Sequence, residues 1–492
     1  MRAVILDLDT LRPDHLGCYG YHRDTSPAID RIASMGTRFD NYYTPDAPCL
    51  PSRASLMSGQ FGIHHGAVGH GGTAADMRLQ GGPRGFRSDY ASNSLWMQFR
   101  HAGMHTCSIS PFAERHSSFW FLAGLNEMHN HIGKGGDESA EEVTPIVMQW
   151  LDEHAADDNW MLHVNYWDPH TPYRAPASFG NPFEGEPLPE WLTEDVLKAH
   201  TALAGPHTAR DNGMYTGTDN PAYPRHPNDV KDMEQLRRCI DGYDCGIRFM
   251  DDHIAMILEK LESVGILEDT AIIVTSDHGE NFGELGVYSE HGTADHPTCR
   301  IPMIIKWPGL PAGQVDTGLH YNLDLAPTIA DLLGQKPWDR WDGRSYATTL
   351  RTGADSGREA LILSQNCHVC QRSVRWDRWL YMRTAHDGFH PHYAEEMLFD
   401  IEADPHETTD LTATHPDIIA EGRTRLAAWK TEMMASLPEG YVNDPMDTVL
   451  AEGGPQHARV GHAPIKAYFE RLRATGRADK IEAILARHPS LR

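Results

Sequence analysis

Short apolar runs bounded by polar residues recur along this chain, and each has the length of a buried strand. Residues 3–8 open the series and stop on polar residues, which predicts a strand running into a loop. Residues 161–166, 271–275 and 302–306 repeat the pattern. Between them, residues 26–35 and 233–263 place apolar side chains at helical spacing. Strands alternating with amphipathic helices predict an α/β fold with a mostly parallel central sheet covered by helices on both faces. Residues 66–88 and 172–228 are rich in Gly, His and Pro and read as long loops. Loops of that length in a compact domain shape the mouth of a site.

The pattern changes near residues 353–358. Beyond it, residues 373–381 and 396–400 alternate as strands do, residues 417–436 are helical in pattern, and a polar tail ends in a helix near 465–487. A large α/β domain over residues 1–355 and a smaller α+β domain with a helical tail over 356–492 are expected. The 492 residues suit one large and one small domain, and a hydrophobic content of 40% builds a sizeable core. A formal charge of −26 argues against nucleic acid or a membrane as partner, since both need a cationic face. The first residues lack the apolar stretch of a signal peptide and no run reaches membrane-spanning length, so a cytoplasmic location is expected. Cys367 and Cys370 form a Cys-x-x-Cys with no second pair at zinc-finger spacing, and they read as structural. The tail beyond Tyr441 is available to pack on a neighbour, which leaves room for a homo-oligomer.

In a parallel sheet, reactive groups gather at the carboxyl ends of the strands. Asp9 ends the first strand, and Asp277 with His278 ends the strand over 271–275. Cys49 precedes Pro51 and Ser52, which look like the opening of a helix. A thiol there feels the positive end of the helix dipole, which favours an anion. Arg53, four residues on, falls on the same helical face, an arrangement suited to an anionic tetrahedral group beside a nucleophile. Taken alone, Cys49 reads more safely as a buried structural cysteine.

Cys49-Leu50-Pro51-Ser52-Arg53 matches the C-x-P-S-R signature, and with it the chain resembles the type I sulfatases of the alkaline phosphatase superfamily. Residues 9–20 look like the N-terminal metal segment of that family, Thr275-Ser276-Asp277-His278-Gly279-Glu280 like its second metal segment, and residues 398–407 like its C-terminal strand and turn. The motifs stand in the family's order and span about 400 residues.

The resemblance implies a large alkaline-phosphatase-like domain and a smaller C-terminal one. It also implies that a formylglycine-generating maturation enzyme oxidises Cys49 to an aldehyde. The hydrated aldehyde carries two hydroxyls: one attacks sulfur in line and expels the alcohol, and deprotonation of the other releases sulfate and restores the aldehyde. The implied ligands of one divalent metal are Asp9, Asp277, His278 and an oxygen of the modified Cys49, with Asp7 as buried support or an extra ligand. Thr10 and His278 stand where many arylsulfatases carry aspartate and asparagine, which leaves Ca2+ and Mn2+ both open. The Asp-Asp-His set also resembles the phosphonate monoester hydrolases.

His170, in Asp168-Pro169-His170-Thr171-Pro172-Tyr173, resembles the family's Pro-His-x-Pro-Tyr segment, and His291 falls where relatives place a lysine. Both are candidates for a catalytic role beside Cys49 and Arg53. The family's Lys-Trp-His trio is missing after residue 106; Arg115, His116 and His70 are the candidates to bind substrate in its place. Trp120, Trp167 and Tyr173 read as a sugar- or aryl-binding wall or as core. The expected activity is hydrolysis of a small-molecule or saccharide sulfate monoester. A phosphonate monoester or phosphate diester hydrolase is the alternative, and a catalytically silent binding protein is a third reading.

Overall fold

A computed structural model of the chain describes residues 1–81, 88–130, 133–354, 356–459 and 462–491. Part of the 66–88 loop, and residue 355 at the expected domain boundary, therefore lie outside the described residues.

The first strand, Arg2–Leu8, lies inside an eight-stranded sheet. Across that sheet the order is Gln314–Tyr321, Thr37–Tyr43, Met303–Lys306, Thr270–Thr275, Arg2–Leu8, Trp160–Tyr166, His105–Ile109 and Glu127–His129. Met303–Lys306 runs antiparallel to both of its neighbours, and the other pairings are parallel. Alternation along the first strand decides what each face meets. Val4, Leu6 and Leu8 point into a core with Ile29, Trp150 and Ile254 of the helices Pro27–Ser34, Ala140–His154 and Met233–Ser263. Ala3 and Ile5 point into a second core with Ala54, Trp96 and Ile329 of the helices Cys49–Ser58, Leu95–His101 and Leu325–Leu332. Both faces are covered, which explains why the central strands are apolar throughout.

A separate sheet domain follows. Its five strands are ordered Glu396–Asp400, Trp379–His386, Cys370–Trp376, Ala360–Gln365 and Asp46–Ala47. The last of these comes from far earlier in the chain: Asp46 and Ala47 pair in parallel with Ser364 and Gln365, directly ahead of the helix that carries Cys49. The head of that helix is thus gripped from both sheets.

Four expectations change. Residues 373–381 are not one strand but a hairpin, turning at Asp377, whose φ of +46° breaks the extended run. The helix near 465–487 is two, His462–Ala474 and Asp479–Arg487, separated at Gly476, which sits at φ +76°. The 172–228 loop contains the helix Glu194–His200, capped by the Thr193 side chain accepting from the Val196 N–H. The tail beyond Tyr441 spends its apolar face on the chain itself, where Ile465, Tyr468 and Leu472 pack with Ala204 and Phe389.

Arg372 on the five-stranded sheet donates to both carboxylate oxygens of buried Asp444, with Nη2 2.7 Å from Oδ1, and so pins the start of this tail. Against the opposing effect of burial, Arg372 lowers the Asp444 carboxyl to about 2. A depressed carboxyl stabilises the fold above its unfolded pKa and loses that contribution as pH falls through the folded value. Asp444→Asn is expected to cost about 3 kcal/mol, because it leaves Arg372 buried without its counter-charge. Thermal melts should show a lower midpoint for the variant at neutral pH and a shrinking gap between variant and wild type as pH falls from 4 towards 2, the window set by that carboxyl.

Candidate active site

Asp7 and Asp9 close the first strand, and Asp277 follows the strand beside it. These three carboxylates are buried, and they share one guanidinium. Arg53 Nε and Nη2 donate to Asp7 at 2.8 and 3.1 Å, and Nη1 donates to Asp9 at 3.0 Å and to Asp277. Arg53 was expected to face an anionic substrate group; here its donors go to carboxylates. Asp7 also lies 3.4 Å from His163 Nε2, and Arg53 with His163 holds its carboxyl low against burial.

Three negative charges against one positive leave the cluster two short. The imbalance appears at Asp277: burial, reinforced by Asp9 and Asp7 and resisted by Arg53, pushes it up to about 8. Asp9 moves the other way, since Arg53, His170 and His278 overcome its burial and hold it well below the carboxylate range. A divalent cation fits this deficit. The donor set also fits: atoms of Asp9, Cys49, Asp277 and His278 lie within 4.8 Å of one another. His278 Nδ1 faces the Gly279 carbonyl at 2.9 Å, so it carries the proton and leaves the Nε2 lone pair free, 3.1 Å from Cys49 Sγ. Thr10 at φ +64° turns its N–H onto Asp277 at 3.1 Å and its hydroxyl onto Asp9 at 2.7 Å.

The helix starts at Cys49 itself, two residues earlier than Pro51 and Ser52 suggested. Its dipole does not make the thiol an anion: burial, with Asp9 and Asp277 close by, pushes Cys49 up to about 12. As a plain thiol, residue 49 is therefore a poor nucleophile at neutral pH. Ser52 Oγ donates to the Asp277 carbonyl at 2.6 Å, and Asn322 Nδ2 donates to Ser52 Oγ at 3.0 Å, which locks the helix to the strand end.

The histidines divide sharply. His170 Nδ1 faces the Thr171 carbonyl at 2.6 Å and its Nε2 is 4.0 Å from Asp9 Oδ1; burial, with Arg115 and Arg174 outweighing Asp9, pushes it down to about 3. His291 lies against His278, with ring centroids 3.9 Å apart, and its Nε2 is 2.9 Å from Glu290. Despite burial, Glu290, Cys49 and Glu280 hold it well above the usual histidine value. His70 accepts from the Leu50 N–H at 3.4 Å, and its ring lies 4.9 Å from that of His116. Arg115 sits over Trp167 at 4.8 Å and donates to the Gly135 carbonyl. His116 Nε2 and Trp167 Nε1 are buried without a partner. Tyr173 is core, with its hydroxyl 3.5 Å from Glu280, and Trp120 packs edge-on against Phe112.

Sequence reasoning missed Glu280, Glu290, His207, His368 and His457. Glu280 and Glu290 had a signal, lying two residues after His278 and next to His291, and His368 sits inside the Cys-x-x-Cys; His207 and His457 come from distant segments and had none. The Cys-x-x-Cys does not gather as a unit: both cysteines are free and buried, Cys367 lying with His368 and His457 and Cys370 with Val68 and Met446.

The family model described as Sulfatase matches residues 3–335. The choline-sulfatase of Rhizobium meliloti is 25% identical over 438 residues, 78% of this chain and 77% of that one. The N-acetylglucosamine-6-O-sulfatase of Bacteroides thetaiotaomicron is 25% identical over 519 residues, 89% and 87% of the two chains. The crystal structure of the phosphonate monoester hydrolase of Agrobacterium radiobacter superposes with a TM-score of 0.67 at 19% identity, covering 88% of this chain and 96% of that one.

Arg53→Met removes the one guanidinium that Asp7, Asp9 and Asp277 share, and is expected to destabilise the fold by about 3–5 kcal/mol. Adding Asp7→Asn should recover part of that loss. Denaturant melts of the two single variants and the double variant give the coupling, and strict additivity would contradict the shared-charge account.

Proposed function

The chain belongs to the sulfatase family, and on that basis we propose that it hydrolyses a sulfate monoester at residue 49. The observation that carries this reading is the meeting of Cys49 with Asp9, Asp277 and His278 at the head of a buried helix, in a cluster two positive charges short. Oxidation of Cys49 by a formylglycine-generating enzyme supplies an aldehyde hydrate, whose first hydroxyl attacks sulfur and whose second expels sulfate. Asp9, Asp277, His278 and residue 49 would hold a divalent ion, which would supply Lewis-acid charge at residue 49. The imidazole among its ligands favours a manganese-like ion over calcium.

The remaining roles belong to the chain. His291, charged between Glu290 and Glu280, donates a proton to the departing alcohol oxygen. His170, with its Nδ1 proton committed to a carbonyl, presents a bare Nε2 that takes the proton of the second hydroxyl. His70, His116 and Arg115 line the approach, and the unpartnered His116 Nε2 and Trp167 Nε1 are placed to hydrogen-bond a substrate oxygen.

A sulfate monoester carries one negative charge, as does a phosphonate monoester or a phosphate diester. With Arg53 committed to carboxylates and His70, His116 and His170 lowered by burial, the cradle suits a singly charged anion better than a phosphate monoester dianion. The same feature sustains a second reading, phosphonate monoester hydrolysis, which the likeness to the Agrobacterium radiobacter fold also supports. For the alcohol half we propose a saccharide, in line with the Bacteroides thetaiotaomicron relative.

Mass spectrometry of the tryptic peptide over residues 39–53 from an active preparation should show one sulfur and two hydrogens exchanged for one oxygen. An unaltered thiol in a fully active sample would overturn the mechanism. Matched aryl sulfate and aryl phosphonate esters should be turned over with the sulfate faster; the reverse order selects the second reading. His291→Ala should slow esters of poor leaving groups by about 10²–10⁴-fold and nitrophenyl esters much less. Equal losses on both would move His291 from acid to anion binder.

A further inference from the structure

A second cluster of metal-ligating side chains lies beyond His291, and of its residues only Glu290 also serves the proposed reaction, through His291. His207, Glu290 and His368 place ligand atoms within 4.8 Å of one another. Three segments bring them together. The 207 turn hydrogen-bonds to the strand Tyr288–Glu290, the Tyr288 N–H donating to the His207 carbonyl at 2.8 Å. His207 sits at φ +61° and Ser289, next to Glu290, at φ +47°, left-handed conformations that cost a non-glycine residue of order 1 kcal/mol or more each. His368 comes from the loop ahead of the strand Cys370–Trp376, held through its N–H by Gln365.

The separations suit a cation better than hydrogen bonds. His207 Nε2 is 3.3 Å from Glu290 Oε2, and His368 Nε2 is 3.6 Å from Glu290 Oε1. Both exceed the usual N–H···O range of about 2.7–3.2 Å. They bracket the edge of a tetrahedron whose centre lies about 2.0–2.1 Å from each ligand, roughly 3.4 Å. The ring orientations agree. His207 Nδ1 faces the Asn212 carbonyl at 3.1 Å, so it holds the proton and turns an Nε2 lone pair towards the carboxylate. A backbone carbonyl on the far nitrogen is the usual support of a metal-bound histidine. His368 is stacked face to face on His457, with centroids 4.0 Å apart and planes 16° apart, which fixes its ring without using Nε2. Glu290 Oε1 meanwhile accepts from His291 at 2.9 Å and joins this cluster to the one around Cys49.

We propose that His207, Glu290 and His368 bind a second divalent transition-metal ion of the zinc class. Two imidazoles and one carboxylate leave at least one coordination position for a substrate oxygen, the composition of working rather than purely structural zinc sites. Since Glu290 also holds His291, the ion stands on the leaving-group side of the reaction, and a hydroxyl or second oxyanion of the alcohol half is the ligand it would take. The site involves none of Asp9, Cys49, Asp277 or His278, and it stands or falls apart from the proposed chemistry at residue 49.

The test is metal stoichiometry on the full-length matured protein, stripped with a chelator, equilibrated with Zn2+ and read by inductively coupled plasma mass spectrometry. Wild type should hold two ions, and His207→Ala and His368→Ala one each. Asp277→Asn should lose the other ion and keep this one. Loading with Co2+ should give a visible ligand-field absorption that falls in His207→Ala and persists in Asp277→Asn. Saturation of wild type at a single ion that Asp277→Asn loses and His207→Ala retains overturns the proposal, as does retention of two ions by His207→Ala and His368→Ala. If Asp277→Asn keeps the wild-type count while His207→Ala lowers it, the site at residue 49 fails and this one stands.

Discussion

Three carboxylates out of water around a single guanidinium constrain everything near residue 49. Each unpaired buried charge costs several kcal/mol, and the fold places Asp7, Asp9 and Asp277 together with only Arg53 between them. The deficit can be met by a proton or by a cation. Asp277, pushed up to about 8, is where the proton goes. A metal bound there, as proposed, would compete with that proton, and its affinity would fall as pH falls.

Topology supplies the rest of the precision. Asp9 and Asp277 leave adjacent parallel strands whose register is fixed over their full length, and Cys49 enters from a segment paired with the other sheet. The helix carrying Cys49 is buried along its whole length, tied by Ser52 to the Asp277 carbonyl and by Asn322 to Ser52. Rigid anchoring from both sheets matters because a reacting atom displaced by about 1 Å costs of order a hundredfold in rate.

Much of this was legible in the sequence because it is local. Residues 3–8 and 271–275 announce their strands by unbroken apolar runs, and Asp9, Asp277 and His278 follow them directly. Cys49 and Arg53 share a helical turn, so four-residue spacing put them on one face. What escaped was set by distant partners. Nothing near Arg53 tells that its donors go to carboxylates 44 and 224 residues away in the chain. The dipole argument at Cys49 was sound in sign, but burial and the same carboxylates outweigh it. His207 and His368 join Glu290 only because a left-handed turn and a strand loop meet there. The hairpin at Asp377 and the break at Gly476 were missed for a smaller reason, one backbone angle each.

His291 and His170 differ in protonation because their surroundings differ. A lysine at position 291 would be charged almost anywhere; an imidazole there needs help, and Glu290 and Glu280 provide it from both sides. His170 has only Asp9 nearby, at 4.0 Å, and that carboxylate is already engaged by Arg53, so burial wins and the ring stays neutral. The difference is one of neighbours, since the side chains are the same. It follows that the charge facing a substrate is small and concentrated at His291, on the leaving-group side. An ester with one negative charge is matched by such a site; a dianion would lack a second cation unless the ring of His207, Glu290 and His368 supplies one. On the proposed reading, the selectivity of the site is tied to what that second cluster holds.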